Sequence, residues 1–104
     1  MSLERRFHQA MIGVYTEALK QCNYKATRFL QMVSNEGGLK TAKKLLSETN
    51  KVSDGFMNLL EHNRLDLTVE ALVLNEKFQP LFTEAEINEA KYRLEQYHYK
   101  PTNL

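Results

Sequence analysis

"RLDLTVEALVL", residues 64–74, decides the fold. Leu65, Leu67, Val69, Ala71 and Val73 alternate with Asp66, Thr68 and Glu70, the period-two pattern of a half-buried strand. Val69, Leu72 and Val73 also stand at helical spacing behind Thr68, a good helix N-cap. The surrounding chain settles the choice. A strand must satisfy its edge groups against a partner, a lone hairpin is marginal, and no other segment offers a pairing strand. The stretch therefore reads as an extended connector over Leu65–Leu67 with both leucines buried, then a short helix from Thr68 to about Leu74 capped by Thr68 or Asp66.

Upstream, Leu3, Phe7, Ala10 with Met11, Val14, Ala18 and Cys22 recur at steps of three and four. They lay one apolar stripe along an amphipathic helix over about residues 3–20. Gly13 inside it marks a place for a neighbouring helix to come close. Asn23 is positioned to cap a second helix with the stripe Ala26, Phe29, Leu30 and Val33, which the Gly37-Gly38 pair ends. A third helix follows at once, with Leu39, Ala42, Leu45 and Leu46 opposite Lys40, Lys43 and Lys44. Beyond the turn-rich "SETNKVSDG", Ser53 or Asp54 caps a fourth that turns Phe56, Leu59 and Leu60 inward and ends near His62 or Asn63.

Downstream, Pro80 biases Gln79 away from the helical region, so "NEKFQPLF" is a connector that Phe78, Leu81 and Phe82 pin to the core. "TEAE" then matches a capping box, Thr83 with Glu86, for a last helix striped by Ile87, Ala90, Leu94 and Tyr97. The tail, residues 100–104, leaves the domain at Pro101. The pattern is that of one all-α domain of five or six helices. A length of 104 residues and ordinary apolar and charged fractions, 42% and 26%, suit a single ordered core.

The segments "KATRFLQMVSNEGGLKTAKKLL", "SDGFMNLLEHNRLDLTVEALVL" and "PLFTEAEINEAKYRLEQYHY" occur in that order. Over about residues 24–99 the chain resembles a small bacterial family of uncharacterised function, with "RLDLTVEALVL" as the most specific part. The resemblance implies a helical domain in bacteria and brings no activity, cofactor or catalytic residue.

Charge is nearly balanced, with fourteen Lys and Arg against thirteen Asp and Glu, so the whole chain gives no electrostatic pull toward nucleic acid or an anionic membrane. No stretch approaches the roughly 20 apolar residues of a membrane span, no secretory signal is visible, and Cys22 is alone. A cytoplasmic protein without a membrane partner is expected.

The chemistry-bearing residues are scattered. His8, His62, His98 and Cys22 fall on four predicted segments without metal-ligand spacing, so no metal site is expected. Cys22 lies on an apolar stripe and reads as an inert core thiol, while His98 suits the C-terminal end of the last helix. Glu84, Glu86 and Glu89 occupy early turns of a helix, where negative charge is stabilising in its own right. "NEGGLK" lacks the further glycines of a dinucleotide site and the ending of a phosphate loop, so no cofactor is expected. A small enzyme would need at least two of His8, Cys22, His62 and Glu70 to converge in one pocket.

Two polar groups stand out. Lys25, Arg28, Lys40, Lys43, Lys44 and Lys51 are interrupted only by Glu36 and Glu48, and the third and fourth helices have the dimensions of a helix-turn-helix. On that reading Lys40, Lys43 and Lys44 touch phosphates while Asn58, His62 and Asn63 reach bases, although Glu61 repels phosphate. Arg64 and Asp66, crowded by apolar neighbours, form with Thr68 a structural polar anchor. The five tyrosines suit edge packing or a contact surface. The favoured reading is a non-catalytic helical module that binds another protein or its own copy; a nucleic-acid-associated module using residues 25–51 is the alternative.

Overall fold

A computed structural model describes residues 2–48 and 52–99; Lys51 and the tail 100–104 lie outside them. Six α-helices and two single-turn 3₁₀ helices make up the ordered elements, with no strand among the described residues. Helix α1, Leu3–Cys22, starts where the Ser2 hydroxyl accepts the Arg5 N–H at 3.2 Å. It runs two residues past its expected end. Asn23 then adopts φ 53°, so it closes α1 and does not cap the next helix. Asn tolerates this left-handed conformation better than most side chains, and a helix end uses it. Helix α2, Thr27–Glu36, begins at Ala26 with no side-chain cap.

Gly37, at φ +92°, ends α2 by donating its N–H to the Val33 carbonyl and leads directly into α3, Gly38–Leu46. The close approach expected at Gly13 occurs at Gly38. A Cβ on Gly38 would lie 2.7 Å from the His8 Cα, whereas one on Gly13 meets nothing within 4 Å. The glycine that matters is thus set by where α1 and α3 cross. Ser53 caps α4, Asp54–Glu61, by accepting the Phe56 N–H at 3.1 Å. His62 and Asn63 end it, as the spacing predicts.

The deciding stretch is helical on both sides of Thr68. Leu65–Leu67 is a 3₁₀ turn where an extended connector was expected, because Arg64 and Leu65 carbonyls accept the Leu67 and Thr68 N–H groups. Leu65 is buried and Leu67 only half-buried, against a small cluster of Ala18, Cys22 and Leu59. Thr68 caps α5, Val69–Val73, accepting the Ala71 N–H at 3.1 Å and donating to the Leu65 carbonyl at 2.7 Å. One hydroxyl thereby joins turn to helix.

Gln79–Leu81 forms the second 3₁₀ turn. On either side of it Phe78 and Phe82 meet Phe7 of α1 edge-on, each at 5.2 Å between ring centres, an arrangement favoured by the aromatic quadrupole. Helix α6, Glu84–Gln96, opens on the expected reciprocal capping box of Thr83 and Glu86. Helix α1 packs along α3, α2 and α5, while α6 closes against α5 and α3. Phe7, Met11, Val33, Ala42, Val73, Ala90 and Leu94 are wholly buried in the one main core. The radius of gyration, 12.5 Å, matches the ~13 Å of a single compact domain of this length.

Candidate functional site

The polar centre of the molecule is Arg93, which α6 places on its inward face between Ala90 and Leu94. Its guanidinium reaches two other elements and one residue of its own helix. Nη1 donates to Glu70 of α5 at 3.0 Å, Nε to Glu89 one turn back at 2.7 Å, and Nη2 to the Glu48 carbonyl at 2.7 Å, just beyond the end of α3. Arg93 and Glu70 side chains are only 3% and 5% exposed. Burial pushes the Glu70 carboxyl above its ordinary range, and the bonds from its own backbone and from Arg93 pull in the opposite direction. The fork geometry of an arginine suits this task, since its three separate nitrogens point to two carboxylates and a helix end in different directions.

Glu70 also borders a concavity of about 500 Å³. Tyr15 of α1, Tyr24 of the following connection, Phe29 and Met32 of α2 and Phe56 of α4 supply its apolar lining. The charges at it come in two sets: Lys25 and Arg28 from the start of α2, and Glu48 and Asp54 from the α3 end and α4 start. Arg93 thus ties together elements that enclose the groove, holding Glu70 in its lining and the Glu48 backbone at its edge. The arrangement offers an apolar bed with opposite charges around it.

The basic residues singled out by spacing are divided. Lys25 and Arg28 border the groove, whereas Lys40 and Lys43 border a separate concavity beside Ser2, Arg5 and His8. Lys43 Nζ donates to Glu86 at 2.7 Å and lies 5.1 Å from the Phe82 ring centre; Lys44 Nζ faces Glu36 at 3.5 Å. Partial burial works to raise the Glu86 carboxyl, but bonds from Lys43 and the Thr83 backbone outweigh it and hold the group low. Helix α3 packs mainly on α1, α2 and α6, not on α4 as a helix-turn-helix pair would. Asn58, assigned to base contact, keeps its side-chain oxygen buried without a hydrogen-bond partner among the described residues.

Arg64 and Asp66 pair through two bonds of 3.0 and 3.1 Å at the surface, where their side chains are 36% and 46% exposed. The bond from Arg64 lowers the Asp66 carboxyl. A second link runs from Arg64 to the Gln21 side chain at 3.3 Å, so the pair fastens the turn to the end of α1. Glu70 and Arg93 are the pair that spacing missed. The available signal was positional: Glu70 is flanked by Val69 and Ala71, and Arg93 stands at helical spacing on the stripe of Ala90 and Tyr97.

His8, Cys22, His62 and Glu70 do not gather. His8 borders the smaller concavity, Glu70 the groove, Cys22 is buried beside Ala18 and Leu59, and His62 is exposed with Nδ1 at 2.9 Å from the Asn58 carbonyl. His98 takes part in the end of α6 through its backbone N–H, which donates to Glu95. Among the described residues no three His, Cys, Asp or Glu side chains cluster to hold a metal ion, and no helix is long and apolar enough to cross a membrane. Fold and site together define an all-α domain with an apolar surface groove. Comparison with protein-family models, curated proteins and solved structures finds no match.

Proposed function

We propose that this protein is a non-catalytic helical interaction module of the bacterial cytoplasm, whose groove receives an apolar segment of a partner protein. The observation that carries the reading is the groove itself: an aromatic and methionine-lined bed large enough for a few side chains, with cations on one set of elements and carboxylates on another. Such a bed selects an amphipathic segment with an acidic residue toward Lys25 and Arg28 and a basic one toward Glu48 and Asp54. Tyr and Met suit the task because they bury area and adapt in shape. The scattering of His8, Cys22, His62 and Glu70 supports the non-catalytic part, and the pairing of Lys43 and Lys44 with carboxylates weighs against a phosphate-binding face.

The test is selection of displayed random peptides on the intact protein, followed by anisotropy titration of labelled winners. Met32→Glu is expected to weaken binding by about tenfold or more, while Tyr92→Glu, on an exposed site outside the groove, leaves it unchanged. Peptides indifferent to Met32→Glu overturn the assignment of the groove. A concentration-dependent dimer in light scattering that Met32→Glu abolishes replaces the partner protein with a second copy.

A further inference from the structure

Helix α3 begins without help from its own neighbours in sequence. Gly37 and Gly38 carry no side chain to accept the first N–H groups of the helix, which need partners from elsewhere. One partner comes from thirty residues away: His8 of α1 accepts the Gly38 N–H on its Nδ1 at 2.9 Å. A backbone N–H only donates, so this nitrogen must present its lone pair, and the ring must be neutral with its proton on Nε2. The bond lies at a close approach of α1 and α3, where a Gly38 Cβ would stand 2.7 Å from the His8 Cα.

We propose that His8 is a pH-sensitive latch joining α1 to α3, closed by the neutral imidazole and opened by its protonation. Imidazole is the side chain that changes charge near neutrality. Protonated Nδ1 would set one N–H against another and place a cation at the positive end of the α3 dipole. The charged groups around the same concavity are Glu4 and Arg5 from α1, Glu36 from α2 and Lys40 and Lys43 from α3. Of these, Glu36 faces Lys44 and Lys43 is held by Glu86 of α6.

The latch is independent of the groove and is tested on the whole chain by following the Gly38 amide and the His8 ring by NMR from about pH 8 to about pH 5. The Gly38 resonance is expected to move with His8 protonation, and the protein to melt about 5 °C lower in acid, the size of a lost helix cap. In His8→Asn, whose carbonyl oxygen takes the place of Nδ1 without titrating, Gly38 stays put and that part of the acid loss disappears. In His8→Ala the bond is missing at every pH and the melting point is already low in mild alkali. A Gly38 amide indifferent to His8 protonation, or an identical pH dependence in wild type and His8→Asn, overturns the proposal.

Discussion

Arg64 with Asp66 and Arg93 with Glu70 are the same chemistry in two settings. The first pair joins near neighbours in sequence across a surface turn, with more than a third of each side chain in water. The second spans α6 and α5 at similar length, 3.0 Å, with both side chains almost wholly buried. Water and salt screen the first and leave it little net effect, whereas removing one member of the second strands a charge inside the protein. Contact distance alone does not rank ion pairs; burial does.

The sharpest way to break this comparison is to truncate each arginine. Arg93→Ala leaves Glu70 without its guanidinium and frees the Glu48 carbonyl, and urea unfolding is expected to show a loss of about 3–5 kcal/mol. Arg64→Ala should leave the unfolding midpoint almost unmoved. Equal losses would mean that burial is not what separates the pairs.

Two glycines extend the same lesson from charge to packing. Gly38→Ala forces a Cβ against the α1 backbone and should cost about 1–3 kcal/mol. Gly13→Ala, with open space around it in mid-helix, should instead stabilise by about 0.5–1 kcal/mol. Thermal unfolding of both variants decides the matter, and a stabilised Gly38→Ala would contradict the crossing geometry. Thr68→Val, which keeps shape and removes a buried cap with two hydrogen bonds, should cost about 1–2 kcal/mol in the same assay.

The smallest effect is the dependence on pH. Because burial raises the Glu70 carboxyl above its value in the unfolded chain, the folded state takes up the proton first. That contribution is complete below the ordinary carboxylate range and is lost as pH rises through the folded value. Asp66 and Glu86 are shifted down and act in the opposite sense, losing their contribution in acid. They are present in wild type and Glu70→Gln alike, so the difference between the two isolates Glu70. The stability of wild type relative to Glu70→Gln should fall as pH is raised from the ordinary carboxylate range toward neutrality; a difference that rises would reverse the assigned shift.

What was legible in the sequence was local. Ser53, Thr68 and the Thr83–Glu86 box each act within three residues of themselves, and the helices they start lie where the spacing puts them. The all-α class followed from the same local signals, including the choice of helix over strand after Thr68. The missed features are long-range. Gly38 rather than Gly13 is the close-packed glycine because of where α1 crosses α3, thirty residues apart in the chain. Asn23 looked like a start signal and acts as a stop, since the same side chain serves both ends of a helix. Glu70 and Arg93 were hidden because a carboxylate on an apolar stripe and a guanidinium on another have no visible relation until α5 lies against α6. The groove was equally out of reach, being assembled from five helices and their connections.

Arg93 and Glu70 act as one unit that fastens α5 and the end of α3, which border the groove, to α6. A double-mutant cycle by urea unfolding, with Glu70→Leu, Arg93→Met and the pair combined, measures it most directly. A coupling of about 1–3 kcal/mol is expected, with the double variant losing much less than the two single losses together. Strictly additive losses would contradict it and reduce the buried pair to two unrelated polar side chains.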